Sequence, residues 1–217
     1  MATEVDICNL ALAHLGDTAT VASISPPEGS AQAEHCARFY PIARDALLEE
    51  HSWGFATKRV QLALLSEAWP EWTYAYAQPN DAVNIIAILS TTATDDYSQG
   101  IINIPDVSIA GNYEPQPFSC EINDDGVPVI LTDQEDAVLR YTALVSDTGN
   151  FSPLFTVTLT WRLAAMLAGP LIKGDVGAAE AKRCEAMAQA YLSKAIESDA
   201  SQRRINPVHK VGWIAGR

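Results

Sequence analysis

The chain has little of what marks a membrane span or an active site. Its apolar residues never run on for the roughly 18 to 20 positions that a membrane helix needs, and the best stretch, 161–172, is short and holds Arg162 and Pro170. No membrane helix is expected. Only four cysteines occur, Cys8, Cys36, Cys120 and Cys184, and none belongs to a C-x-x-C pair. They read as small buried hydrophobes in a reducing compartment. His35 beside Cys36 is the one adjacent pair of soft ligands, and neighbours on a helix point about 100° apart, so no metal ligand set is assigned. The glycines form no phosphate loop: Gly-Asp-Val-Gly at 174–177 has no strand before it, and no G-x-S-x-G elbow is present. Neither a cofactor nor a catalytic residue is expected. The opening residues carry Glu4 and Asp6 where a secretory signal carries Lys or Arg, so the expectation is a chain that starts near Met1 and is made in a cytoplasm.

Cations are scarce as well. Fourteen Lys and Arg stand against 27 Asp and Glu, a net charge of -13. Four of those cations, Arg203, Arg204, Lys210 and Arg217, lie in 201–217, which holds no acid, so the first 200 residues carry 10 basic against 27 acidic residues, or -17. An acidic body with a basic tail favours polar docking over nucleic-acid wrapping.

What is present is a helical grammar interrupted by strands, in a chain long enough to bury an ordinary core. Thr3 with Asp6 reads as a capping box for a first helix with Val5, Cys8, Leu12 and Leu15 on one face, ended by Gly16. Ser30 caps a second helix to about His51, with Cys36, Tyr40, Ala43 and Leu47 as its seam and Pro41 expected to kink or split it. From Trp53 the pattern turns extended. Segments 56–65, 83–90, 100–110, 118–122 and 127–131 read as strands, with a turn at Asn123, Asp124, Asp125 and Gly126. Thr132 with Glu135 reads as the box of a third helix along Val138, Tyr141 and Val145. Ser152 and Pro153 start a fourth, the most apolar, ended by Gly169 and Pro170. A fifth spans 177–198 and buries Cys184, Met187 and Tyr191. Trp161 and Tyr191 are expected in the core. No repeat or low-complexity segment is found.

The fold class expected is mainly α with a β-rich insertion (α+β): a helical bundle from 1–52 and 132–200, a small projecting β lobe from 53–131, and an extended tail, 201–217.

Candidate chemistry is thin. His14 and His51 fall in the last turns of their helices, where the dipole favours a cation. The acid pairs Glu49/Glu50, Asp95/Asp96 and Asp124/Asp125 suggest solvated surface more than the two carboxylates of a small hydrolase. Trp69, Trp72, Tyr74 and Tyr76 have no interleaved cations, so packing is the expected use. In the tail, Ile205 and Trp213 are apolar anchors among Arg203, Arg204, Lys210 and Arg217, a composition suited to ordering on a neighbour.

Three segments have a collective likeness. Residues 7–16 (ICNLALAHLG), 43–59 (ARDALLEEHSWGFATKR) and 72–81 (WTYAYAQPND), in that order, resemble the tail tubular protein A family, the head-to-tail adaptors of short-tailed bacteriophages. The central one is the most specific, an Arg-Asp-x-Leu-Leu helix running into a Trp-x-Phe-Ala-x-Lys-Arg exit, and the closing Trp213-Ile214 with Arg217 is also similar. The resemblance implies a structural virion protein and no enzyme: a dodecameric ring of copies of itself between the portal protein and a tail nozzle like tail tubular protein B, with DNA passing through its lumen. A head-completion or neck protein of a long-tailed phage is the alternative.

With a body at -17, the free protein should show no tight duplex binding at physiological salt. A gel-shift titration checks this, and submicromolar, steeply salt-dependent affinity would contradict it.

Overall fold

A computed structural model of the chain describes residues 2–18, 20–67, 69–91 and 116–202. These residues form an α+β protein in two compact units: a helical one from Met1–Ala56 and Leu144–Gln202, and a β unit within Thr57–Ala143.

Four helices build the first unit: α1 (Glu4–His14), α2 (Ala31–Glu49), α3 (Pro153–Ile172) and α4 (Gly174–Ser201). α1 starts where expected. Thr3 Oγ1 accepts the Asp6 N–H at 3.1 Å, and the Asp6 carboxylate accepts the Thr3 N–H at 2.8 Å. Its buried face is Ile7, Cys8, Ala11 and Leu12, so Val5 and Leu15 are flanking. Gly16, with φ 76°, ends it. The following loop is pinned back by Asn9, whose amide donates to the Val21 carbonyl at 3.0 Å and accepts its N–H at 2.7 Å.

α2 is one helix capped by Ser30, with Pro41 inside it and no split. Proline removes one backbone bond, a cost of about 3 kcal/mol, and burial of Cys36, Tyr40, Ala43, Leu47 and Leu48 around it offsets that.

α3 begins at the Ser152 cap and Pro153 but does not stop at Gly169. Pro170 sits in its last turn, and the reversal falls at Lys173 and Gly174, with φ 61° and 60°. A single residue thus joins α3 to α4. Their close approach requires Gly177, where a Cβ would lie 3.1 Å from the Ala168 carbonyl oxygen. At 20 residues and mean hydropathy 1.4, α3 is by length and composition apolar enough to cross a membrane, longer than the 161–172 stretch suggested. Here it is the element on which α1, α2 and α4 all pack.

Three core assignments are corrected. Trp161 is half-buried and stacked on His14, with centroids 3.6 Å apart, and Met187 and Tyr191 are also half-buried. The row of α4 that faces inward is Cys184, Ala188, Leu192 and Ala195. Its small side chains allow the tight contact with α3, which moves the larger residues to the flank.

The β unit contains β1 (Thr57–Gln61), β2 (Tyr74–Ala77), β3 (Ala82–Leu89), β4 (Phe118–Ile122), β5 (Pro128–Thr132) and β6 (Val138–Ala143). They form two antiparallel sheets, β1-β6-β3 and β2-β5-β4. β4 and β5 are joined by the expected turn, in which Asn123 Oδ1 accepts the N–H groups of Asp125 and Val127 and Gly126 takes φ 78°. The expected strand at 100–110 lies outside the described residues. β2 is a strand where only an aromatic cluster was read.

The helix expected from Thr132 is instead the central strand β6. Thr132 ends β5, and its hydroxyl donates to the Pro117 carbonyl at 2.8 Å and accepts the Gln134 N–H at 3.3 Å. That is a turn, not a helix cap. β6 pairs on both edges, Tyr141 opposite Lys58 and Ile85, and Leu139 through Ala143 are buried on both faces. A doubly buried strand loses polar alternation, so the spacing of Val138, Tyr141 and Val145 imitated a helix.

Lys58 Nζ donates to Asp81 at 2.8 Å and the Tyr141 hydroxyl donates to it at 2.9 Å. The Lys58 bond, with help from Tyr141, lowers the Asp81 pKa, and burial followed by the Asp81 bond pushes Tyr141 up to about 12. Asp81 therefore contributes stability that is full above its unfolded pKa and lost as pH falls through the lower folded value. Tyr141 contributes stability that is full below its unfolded pKa and lost as pH rises toward about 12. Urea midpoints should decline less steeply in acid for Asp81→Asn and less steeply in alkali for Tyr141→Phe than for the parent; unchanged slopes in both would refute the linkage.

Candidate functional site at the exit of the second helix

The 43–59 segment forms the end of α2, a turn, a 3-10 turn at Gly54–Ala56 and β1. Arg44 lies along the buried side of α2, its Nε bonded to Asp45 at 2.7 Å and its guanidinium over the Tyr40 ring. Leu47 and Leu48 are fully buried. Trp53 is fully buried too, and its indole N–H donates to the Leu47 carbonyl at 2.8 Å. That bond satisfies one of the carbonyls a helix end leaves without a partner, so the tryptophan is both core and cap.

Around it the turn is held by α4 and α3. Asp199 Oδ1 and Oδ2 accept the Gly54 N–H at 3.0 and 3.2 Å, and Oδ2 meets His51 Nε2 at 3.1 Å. A Cβ at Gly54 would sit 3.1 Å from Asp199 Oδ1, so glycine is what lets the carboxylate approach. Arg162 of α3 bridges Glu50 and Glu185. Trp53 and Phe55 both stand edge-on to Phe155 at 5.0 Å, and Phe151 closes the cluster 4.8 Å from Phe155. Trp53 and Phe55 thus share one partner, Phe155, across a 3-10 turn.

The arrangement is a clamp. His51 and Asp199 resemble two members of a hydrolytic triad, but both oxygens of Asp199 are also engaged by the Gly54 backbone. Of the acid pairs, Glu50 is held by Arg162, Asp124 and Asp125 lie on the exposed β4–β5 turn, and Asp95 and Asp96 lie outside the described residues. Among the described residues no group of three or more His, Cys, Asp or Glu could hold a metal ion. A shallow hollow of about 480 Å³ lies between α3 and α4, lined by Arg162, Ala165, Met166, Ala181, Lys182 and Glu185.

Other sequence assignments change. His14 ends α1, but burial, and then the nearby Arg183, lower its pKa, opposing the charge the helix dipole favours. His51 lies just past α2. Cys120 is exposed on the edge strand β4, whereas Cys8, Cys36 and Cys184 are buried. Trp69 and Trp72 are half-buried against Ala75, Val129 and Leu131, and the buried Tyr76 donates its hydroxyl to the Gln134 carbonyl at 2.9 Å, so these aromatics pack. The tail residues Arg203, Arg204, Ile205, Lys210, Trp213 and Arg217 lie outside the described residues. α4 ends at Ser201, with Gln202 as its cap. Sequence reading missed Asp199, Arg162, Glu185 and Phe151. For Asp199 no local signal existed, since its partners are about 145 positions away.

Comparison with protein-family models gives no match, and comparison with curated proteins gives none either.

Trp53→Ala should cost about 3 to 5 kcal/mol as a large buried aromatic, and Asp199→Ala about 1 to 3 kcal/mol through the donors left without their acceptor. Urea denaturation measures both. His51→Ala combined with Asp199→Ala should cost less than the sum of the singles; strict additivity would mean that the two side chains do not interact.

Proposed function

We propose that this protein is a structural component of a bacteriophage virion, a head-to-tail adaptor whose copies form a ring, dodecameric by the family resemblance, between the portal protein and the tail nozzle. In this reading the helices are the bundle body, the sheets are a lobe projecting from it, and the protein is not an enzyme. The observation that carries the proposal is the 43–59 segment. The most specific part of the resemblance coincides with the clamp, where Trp53, Gly54 and Phe55 are each tied to residues of α2, α3 or α4. Trp53, Gly54 and Phe55 there are committed to packing and to closing the turn after α2, a use that suits a structural protein.

The charge supports the same reading. A body at -17 repels phosphate, so a duplex slides through an acidic lumen without sticking. The basic tail supplies the docking element. Trp213 and Ile205 are the apolar anchors, and Arg203, Arg204, Lys210 and Arg217 meet acidic groups on the portal or on an adjacent subunit.

Mixing the full chain with the portal of its own virion and imaging the product tests this. A ring seated on the portal is expected. Removing 203–217, while keeping the Gln202 cap, should leave the melting temperature nearly unchanged and abolish assembly. Trp213→Ala should weaken assembly more than neutralising any single tail cation. Normal attachment of the truncated chain would remove the tail proposal, and absence of any assembly by the intact chain would remove the adaptor reading.

A further inference from the structure

One edge of the second sheet is open. β4 is the outer strand of β2-β5-β4, and among the described residues no strand pairs with its far side. The direction of its backbone groups follows from the bonds around it. The Asn123 N–H donates to the Val127 carbonyl at 3.0 Å across the turn, and the Gln78 N–H donates to the Pro128 carbonyl at 3.2 Å. Antiparallel strands alternate along the chain between residues that bond one neighbour and residues that bond the other. Ser119 and Glu121 therefore bond β5, and the N–H and C=O groups of Phe118, Cys120 and Ile122 point away from the sheet. A row of unpaired strand groups is a template for another strand. The devices that block such pairing are missing, since Phe118–Ile122 holds no Lys and no Pro and its one charge is Glu121. Ile122 is 67% exposed, which leaves a large apolar side chain in water on the open strand.

We propose that β4 is an interface with a second copy of this chain, the two β4 strands running antiparallel about a two-fold axis at Cys120. The strand is self-complementary in that register. Phe118 falls opposite Ile122 of the partner subunit, Ser119 opposite Glu121 of the partner subunit, and Cys120 opposite Cys120 of the partner subunit. Apolar meets apolar, and a hydroxyl meets a carboxylate. Ser119 already donates to Glu121 within one strand at 2.9 Å, so the two groups are suited to each other.

Other registers lose the match. A slip of one residue sets outward groups of one strand against residues of the other that are already bonded to β5. A two-residue shift one way sets Glu121 opposite Glu121 of the partner subunit, and the other way leaves Ile122 opposite Gln116 of the partner subunit. In the Cys120-centred register every outward N–H meets an outward carbonyl, and each copy's three-stranded sheet continues into the other. A strand of five residues buries less than the roughly 800 Å² per partner of a stable complex, so the pair forms and dissociates with concentration. A two-fold contact closes on itself and gives pairs rather than rings. The inference therefore concerns the free chain, and it stands or falls independently of the adaptor reading.

The test uses the full chain with its thiols reduced, followed by sedimentation velocity from micromolar to millimolar protein. A monomer–dimer equilibrium is expected. The N–H groups of Phe118, Cys120 and Ile122 should exchange with deuterium more slowly as concentration rises. Cys120 is exposed and the other three thiols are buried, so a short bis-maleimide should give a covalent dimer joined through Cys120, the two Cα atoms lying about 5.5 Å apart in such a pair. Cys120→Pro removes the central outward N–H and spares the bonds to β5, and Ile122→Lys puts a charge opposite Phe118 of the partner subunit. Each change occurs twice across the axis, so each should weaken dimerisation about tenfold or more. If the proline variant does not fold, the lysine variant decides. Four results would each overturn the proposal: a monomer at every concentration, exchange protection that ignores concentration because 92–115 of the same chain covers the edge, a dimer of unchanged affinity in the folded variants, or a dimer in which Cys120 does not cross-link.

Discussion

Phe55 and Phe151 meet on Phe155, and the folded chain depends on that contact. Phe55 is the last aromatic before the chain leaves the helical unit after Ala56, and Phe151 is the first after it returns at Leu144. Both lie within 6 Å of Phe155 and of each other. Closing an insertion of this length costs on the order of 4 kcal/mol in chain entropy beyond a constant, and aromatic pairs of this kind contribute about 0.5 to 1.5 kcal/mol each beyond their buried area. The β unit meets the same constraint in its own way. Its first and last strands, β1 and β6, are hydrogen-bonded neighbours with Thr57 opposite Thr142, so the exit and return are paired strands.

Once the two crossings are pinned, the polar groups near them have defined tasks. Trp53 closes the end of α2 through the Leu47 carbonyl, and Asp199 closes the turn after it through the Gly54 N–H. Arg162, mostly shielded, is shared between Glu50 and Glu185. A partly buried charge paired on two sides is worth more as a positioning device than as net stability, since desolvation offsets much of the attraction. The clamp therefore fixes the end of α2 and the turn after it against α3 and α4.

How much of this was legible in the sequence depended on whether the signal was local. The caps at Thr3, Ser30 and Ser152, the glycine that ends α1, the Asn-Asp-Asp-Gly turn and the Cys36, Tyr40, Ala43, Leu47 seam are all set by side chains within four residues of the backbone they serve. Strand β4 was also readable, because edge strands keep their bounding turns. Where the signal came from distant chain, reading failed. β6 imitated a helix because neighbours on both edges and both faces erased its alternation, and α3 ran past Gly169 because packing on three other helices outweighs the breaker in its last turn.

By itself, the sequence determined the α+β class, the starts of α1, α2 and α3, the acidic body with its basic tail, and the segment at the α2 exit that carries the family resemblance, since each is a matter of composition or of contacts a few residues long. Only the tertiary structure decided which aromatics are core and which are flank, that Asp199 is the partner of His51 and Gly54, and that residues 138–143 are a strand. Those outcomes depend on surfaces contributed from opposite ends of the chain, and a single line of residues holds no local term for a contact made across 145 positions.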